Sequence, residues 1–578
     1  MTTGRSHSFS PNGADTVTAP NGARAHRDHV SHSQLLARTF ATVRPGVWSL
    51  TGNGLSNQTF IEAPEGIIAI DTGESIEEMT EALNELRRHT DRPIAAVLYT
   101  HFHYVSGTAA VLDGAHLEPL PIWAHERVAV NRARAGAEIA PAYGRGLAEQ
   151  FATSLPTEGP DALVNVGLGH FYRNPAHAPF RYGHIPATNT FSGDTVITVA
   201  GLTIEVTHAP SDADDSVTYW FPSLGVCVNN LVWPTLFNIF AIRGEEYRDP
   251  RVLLRGLDHL LSLGADHLVA AHGPVISGAA DITARVTRYR DSIQYLWDQT
   301  VRHINMGATS RELAHLVTLP EFFDNDYLTS EFYGVAEHHT RQIQTGLFGW
   351  FDGDEANLFP VEPGERCNRL IAGFGGRDNV YAQASAAVAG DDLRWAVELA
   401  SWLVRSDGAT DGDRALLAGA LRLIAQRTPA ANIRNWCLAR ARGLDGSEDR
   451  SRFYIHRLNK RQLAAAAPTD AVYLLRVLLK PTRAIGINTH VAWSFDDGTT
   501  CGLHLRNCIA CPTDGHGADI TVSCTRAAWA DVVTSSTTLS DALAAGDLQV
   551  SGDTRALVAA LDSFDVAGLR APGSQARA

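Results

Sequence analysis

The sequence has no positive charge to spare. Lys and Arg number 48 against 63 Asp and Glu, a formal net charge of -15 at pH 7. Nucleic-acid binding draws on a surplus of Lys and Arg on one face, so that class of partner is not expected. A small anion remains within reach, because a few placed arginines suffice to hold one. No apolar run approaches the ~20 residues that cross a bilayer, so no membrane span is expected. Cysteine is sparse: seven in 578 residues, scattered along the chain, which excludes a disulfide framework. The first thirty residues lack the apolar core of a signal peptide and are rich in Ser, His, Asn, Gly and Ala. They read as a disordered tail over residues 1–30 in which His26, His29 and His32 have no fixed role, and the expected location is the cytoplasm.

What is present is enough for several cores, since single cores stop growing at roughly 250–300 residues. Over residues 31–280 apolar strand-like runs alternate with helical or turn segments: Ile67–Ile70, Ala95–Tyr99, Leu202–Val206, Val226–Val228 and Leu268–Ala271. The pattern is that of an α/β sandwich. From Asp281 the period changes, and Val286, Tyr289, Ile293, Trp297, Thr300 and Ile304 form one apolar helical stripe. Further short amphipathic helices follow to residue 445, including Leu393–Val404 and Ala415–Ile424. Residues 446–578 switch to an α+β pattern. Ile487–Phe495 alternates, Asp497-Gly498 makes a hairpin turn, Cys501–Cys508 returns, and Leu539–Leu543 and Ala556–Leu561 read as helices.

The segment richest in chemistry is Tyr99-Thr100-His101-Phe102-His103-Tyr104-Val105-Ser106-Gly107, which leaves the end of a strand. In extended backbone, residues i and i+2 point the same way, so His101 and His103 can grip one metal. Asp71-Thr72-Gly73 precedes this loop; His208-Ala209-Pro210-Ser211-Asp212 and Ala271-His272-Gly273-Pro274 follow it. That order resembles the metallo-β-lactamase superfamily. Further segments resemble its linear alkylsulfatases: Asn238-Ile239-Phe240-Ala241-Ile242-Arg243-Gly244 with Arg248-Asp249, Trp297-Asp298-Gln299-Thr300, and Phe348-Gly349-Trp350-Phe351-Asp352-Gly353. The resemblance implies an αββα catalytic sandwich, an all-α dimerisation region and a C-terminal sterol-carrier-like domain, with a homodimer as the assembly. It also implies that Asn238 and Arg243 bind the anionic head of a substrate; the alternative for Arg243 is an ion pair with Glu245, Glu246 or Asp249. The C-terminal domain is expected to offer an apolar groove and not to carry the chemistry.

The departures from the family pattern are as informative as the matches. The pattern is HxHxDH, and this chain has Val105 and Ser106 where the Asp and the second-site His belong. Counting back from Phe221-Pro222, the first downstream carboxylate falls on Asp212, with Asp214, Asp215 and His208 as alternatives. The second falls at Asn229 or Asn230, which are poor ligands. His101, His103 and Asp212 therefore form the expected metal site, holding one divalent ion, Zn or Fe(II). His272 is read as a catalytic proton-transfer or supporting residue rather than as a ligand. The expected function is that of a diverged alkylsulfatase-like hydrolase or lyase acting on an amphiphilic or anionic organic substrate, with feeble alkylsulfatase activity. A mononuclear non-haem iron oxygenase built on the two-His, one-carboxylate triad is one alternative. A non-catalytic lipid-binding scaffold is the other. Cys501, His504, Cys508 and Cys511 are read as strand residues, not a zinc knuckle, and His338-His339 and Trp395/Trp402 as helix residues.

Overall fold

The computed structural model describes residues 8–112, 119–135, 138–454, 460, 463 and 467–570. Two sheets carry the first half of the chain. The larger runs, in spatial order, Thr39–Arg44, Val47–Thr51, Gln58–Ala63, Gly66–Ile70, Ile94–Leu98, Ile122–His125 and Asn189–Phe191. It is antiparallel as far as Gly66–Ile70 and parallel beyond. The smaller sheet runs Thr195–Val199, Leu202–His208, Val217–Phe221, Val226–Asn229, His267–Ala270 and Ile276–Ser277. Val47, Ile61, Ile68, Ile70 and Leu98 of one sheet pack against Ile204, Val217, Tyr219, Val228 and Val269 of the other in a single apolar core. Each sheet buries one face on the other, the arrangement read from the sequence.

Helices cover the outside. Pro250–Ser262 and the long helix Ala279–Asn305 contribute Leu253, Leu257, Val286, Tyr289, Ile293 and Leu296 to a second core. The stripe predicted from Asp281 is the buried face of that long helix. Beyond it, Pro363–Gly373, Arg377–Ala389, Leu393–Arg405, Asp411–Arg427 and Ala431–Leu444 pack as successive helices. Thr410 and Asp413 form a capping box at the start of one of them. Trp402 is buried there, while Trp395 stays partly exposed.

Residues 8–30 are ordered, which corrects the expected tail over the part the structure describes. Thr16–Thr18 pairs antiparallel with Arg24–His26, and the helix Arg27–His32 follows. The polar composition that suggested disorder is satisfied by distant backbone. Ser10 N donates to the Arg427 carbonyl at 2.8 Å, Thr16 Oγ1 to that of Gln426 at 3.2 Å, and His32 Nε2 lies 2.8 Å from that of Gly167. His26, His29 and His32 are buried structural residues.

The chain divides into two compact units. Met1–Arg132 with Tyr143–Arg450 holds both the sandwich and the helices after it, and Ala133–Ala142 with Ser451–Ala578 forms the other. The second unit centres on a five-stranded sheet in the order Ile509–Thr513, Thr500–Arg506, Thr489–Phe495, Ile520–Cys524, Leu548–Ser551. Val491, Trp493, Phe495, Cys501, Leu503 and Leu505 face a core closed by helical residues Trp529, Leu539 and Leu557. Cys508 lies in the turn after Thr500–Arg506, and all seven cysteines are free. No helix among the described residues is long and apolar enough to cross a membrane.

Candidate metal centre

The loops that carry the singled-out residues all leave the same ends of the two sheets. Strands Gly66–Ile70 and Ile94–Leu98 are parallel and deliver Asp71 and the His101 loop; Leu202–His208, Val226–Asn229 and His267–Ala270 run alike and deliver Asp212, Asn230 and His272. Two bonds tie the sheets at this edge: Val217 N to the Thr100 carbonyl at 3.0 Å and Tyr219 Oη to the Tyr99 carbonyl at 2.8 Å. The His101 loop is pinned to the turn after Ile70 by Thr72 N to the Tyr104 carbonyl and Ser106 N to the Gly73 carbonyl. Gly107 allows this approach. A Cβ there would stand 2.0 Å from the Thr72 carbonyl oxygen and 2.6 Å from that of Ser75. Gly107→Ala is therefore expected to destabilise the protein by about 3 kcal/mol, measurable by denaturant unfolding.

His101, His103 and Asp212 come together, with one ligand atom from each lying within 4.8 Å of the others. Among the described residues this is the group with the composition and spacing of a metal site. The route differs from the expected one. His101 is extended, but Phe102–Tyr104 is a 3-10 turn, so His103 is brought across by the turn and not by strand alternation. The two rings meet edge to face at 5.0 Å.

The surroundings prepare His101 as a ligand. Thr100 Oγ1 donates to Asp71 Oδ2 at 2.7 Å, and its oxygen lies 2.8 Å from His101 Nδ1. With its one hydrogen given to the carboxylate, Thr100 accepts from Nδ1–H, which leaves the lone pair on Nε2. Asp71 itself is held at φ 57, a strained conformation for a non-glycine residue at the mouth of the site. His101 Nε2 and both ring nitrogens of His103 are buried without a hydrogen bond of proper geometry. They face carboxylate oxygens instead: His103 Nδ1 is 3.2 Å from Asp212 Oδ2, and His101 Nε2 is 3.9 Å from Asp212 Oδ1. Burial works against the charge on Asp212, but His101 and His103 hold its carboxyl well below the usual range. Burial lowers His101 to about 3; His103 rises to about 9 against burial, because Asp212 and Glu245 attract its proton. Buried imidazole nitrogens facing a buried carboxylate fit a divalent cation.

The alternatives for the third position are not part of this group. Asp214 pairs with Arg127 and accepts from Asn131 Nδ2. His208 Nε2 contacts the Asp214 carbonyl, and its ring stacks on His125. Asp215 is buried, and burial pushes its carboxyl up to about 7.

Positions given to a second metal in the family pattern carry other chemistry. Val105 is buried and bridges to Gly73. Asn230 Nδ2 donates to Asp212 Oδ1 at 2.7 Å, whereas Asn229 caps the backbone of Leu231 and Val232. His272 is hydrogen-bonded on both sides, Nδ1 to the Leu55 carbonyl at 2.9 Å and Nε2 to Tyr104 Oη at 3.3 Å. Burial lowers it to about 4.

The residues expected to hold an anion line this side of the molecule. The Arg243 side chain is buried and pairs through Nε with Glu245 at 2.9 Å, the ion pair left open by the sequence, and Glu245 Oε1 lies 3.7 Å from His103 Nε2. Tyr143 Oη donates to the same oxygen. Asn238 is buried, and neither side-chain polar atom has a partner. Sequence reasoning passed over Arg248 as a site residue. It is buried, donates through Nη1 to the Asn238 carbonyl at 2.6 Å, and leaves Nε and Nη2 unpartnered. It also missed Tyr104, although Tyr104 lies inside the histidine motif, and named Glu245 only as one of three ion-pair candidates for Arg243.

A sandwich of this topology, with two histidines and a carboxylate at its loop edge, defines a metal-dependent enzyme of the metallo-β-lactamase superfamily, and the superfamily model matches residues 51–228. Family models for alkyl sulfatase dimerisation and for the alkyl sulfatase C-terminal domain match residues 309–447 and 458–568. A linear primary-alkylsulfatase from Pseudomonas sp. is 36% identical over 394 residues, 67% of this chain and 73% of that protein. An (R)-specific secondary-alkylsulfatase from Pseudomonas sp. is 27% identical over 556 residues, 90% of this chain and 80% of the other. The solved structure of the stereoselective inverting sec-alkylsulfatase Pisa1 from Pseudomonas sp. superposes with a TM-score of 0.83 at 25% identity, covering 95% of this chain and 89% of that one. The chain belongs to the alkylsulfatase family of the metallo-β-lactamase superfamily.

Proposed function

We propose that the protein is a sulfate-ester hydrolase of the alkylsulfatase type that works with a single divalent metal ion held by His101, His103 and Asp212. The observation that carries the reading is the contrast between two sets of groups. His101 Nε2 is buried, unpartnered and aimed at Asp212, whereas His272 has both nitrogens engaged and Asn230 stands beside Asp212 as a hydrogen-bond donor. When bound, such an ion supplies Lewis-acid polarisation and lowers the pKa of water. The protein's own groups do the rest. Asp71 and Thr100 fix the His101 tautomer, and Glu245 and Tyr143 hold Arg243 beside His103. Arg243, with Asn238, is assigned to the sulfate head, since a guanidinium offers a planar fork to two oxyanion oxygens. The unpartnered amide of Asn238 and the unpartnered N–H groups of Arg248 support an anion there, because buried donors left unmatched cost about 1–3 kcal/mol each.

Metal analysis of the purified protein, with sulfate release from alkyl sulfates, tests the reading. One equivalent per chain with measurable ester cleavage is expected. Two equivalents at the centre contradict the single-metal part. Iron with substrate-dependent oxygen uptake contradicts the hydrolytic part.

We also propose a homodimer formed through the helical region. Phe348, Trp350 and Phe359 are 62%, 69% and 88% exposed within the segment matched by the dimerisation model. Large apolar side chains so exposed and so close in sequence mark a contact surface. Light scattering is expected to give twice the 62.4 kDa chain mass, and Trp350→Asp with Phe359→Asp to shift the protein toward monomer.

A further inference from the structure

We propose that Tyr104 is the side chain that keeps this centre mononuclear, by filling and capping the place beside His272 that a second metal would need. The inference rests on the one-metal reading above and names the residue responsible for it.

Three features of the site carry the inference. The first is the direction of the hydrogen bonds on His272. The Leu55 carbonyl can only accept, so His272 Nδ1 carries the hydrogen and Nε2 carries the lone pair. Tyr104 Oη, 3.3 Å from Nε2, is therefore the donor. The last imidazole lone pair left to a second site is spent on a phenol. The second is position. The Tyr104 ring stands edge-on to His101 at 5.0 Å and edge-on to His272 at 5.3 Å, so it occupies the space between the His101 group and His272. The third is packing. Tyr104 and His272 are 4% and 2% exposed, Tyr104 shares an apolar cluster with Leu55, Trp233 and Leu236, and Trp233 closes on His272 at 5.5 Å. A phenol so enclosed cannot swing aside without opening a cavity.

The loss of Asp, His and Glu ligands at positions 105, 106 and 230 is thus only half of the change. Returning those ligands leaves the phenol in place. The triple variant Val105→Asp, Ser106→His, Asn230→Glu is expected to bind one zinc per chain, as the wild type does. Adding Tyr104→Ala is expected to raise the count to two, with a second set of d–d bands when cobalt replaces zinc. A triple variant that takes two equivalents overturns the proposal, as does a folded quadruple variant that takes only one. Two equivalents in the wild type would instead overturn the one-metal reading, and so the two failures are told apart. The near-isosteric Tyr104→Phe guards against misfolding of the larger variants. In 15N-histidine spectra it should move the Nε2 resonance of His272 toward that of a free, unprotonated nitrogen. An unmoved resonance shows that Tyr104 does not cap His272 and overturns the proposal.

Discussion

Replacing His101 with alanine should strip the centre of its metal and take turnover with it, while Ser106→Ala leaves the metal content as it was. His101 contributes a buried nitrogen whose tautomer is set by Thr100 and Asp71, and it is one of the three members of the group that could hold a metal among the described residues. Outer partners of metal ligands typically cost tenfold to a hundredfold in affinity when removed. Loss of the ligand itself exceeds that, and leaves Asp212 and His103 as an ion pair at 3.2 Å, with Glu245 3.7 Å from the other ring nitrogen of His103. Ser106 makes its contacts through the backbone, its N–H to the Gly73 carbonyl and its carbonyl to Gly183 N–H. Metal analysis of both variants after dialysis checks the contrast. Equal metal in His101→Ala and the wild type would refute the assigned ligand set.

The second large effect concerns rate. Sulfate release from dodecyl sulfate is expected to run at least a hundredfold below that of relatives with both metals, a deficit of ~3 kcal/mol in the barrier. Cleaving a sulfate ester builds negative charge on the leaving oxygen and needs an activated water, and a metal pair serves both ends of the displacement. On the one-metal reading, the neutral Asn230, Val105 and Ser106 stand where the family pattern has charged or imidazole ligands, and burial lowers His272 to about 4. Binding should suffer less than turnover. Asn238 and Arg248 keep unmatched polar groups, and Arg243 remains a buried cation beside His103. Alkyl sulfates should therefore compete for the site even where they are poor substrates. Arg243→Ala should weaken that competition roughly tenfold or more, since a charge-assisted hydrogen bond contributes ~1.5–3 kcal/mol. Rapid sulfate release by the wild type loaded with a single zinc would show that one metal is enough.

The strands around Ile67–Ile70 and Leu268–Ala271 were legible because burial on both faces leaves continuous apolar runs. The helix from Asp281 was legible because its stripe, Val286 to Ile304, repeats for about five turns. His101 and His103 were found by spacing, yet the spacing argument assumed a strand, and a 3-10 turn carries His103 into place. Only the fold groups Asp212, and not Asp214 or Asp215, with the two histidines, since neighbouring carboxylates in one loop look alike until their directions are fixed. Arg248 and Tyr104 escaped for a related reason. Their roles depend on what they face across the chain, the Asn238 carbonyl in one case and His272 in the other. The N-terminal histidines misled because polar composition says nothing about distant carbonyls that wait to accept.

Those distant partners also set a timetable for biosynthesis. Ser10 and Thr16 close onto Arg427 and Gln426, the latter pair 410 residues apart. At about 5–20 residues per second, roughly 20–80 s of translation separates the two halves of that clasp. Throughout that interval the hairpin of Thr16–Thr18 and Arg24–His26 can close only on the segment around Pro160 and Ala162, and its contacts with Arg427 and Gln426 wait. The N-terminal segment therefore completes its docking only after Arg427 has been made. A chaperone that shields the segment until then should raise the yield of folded protein.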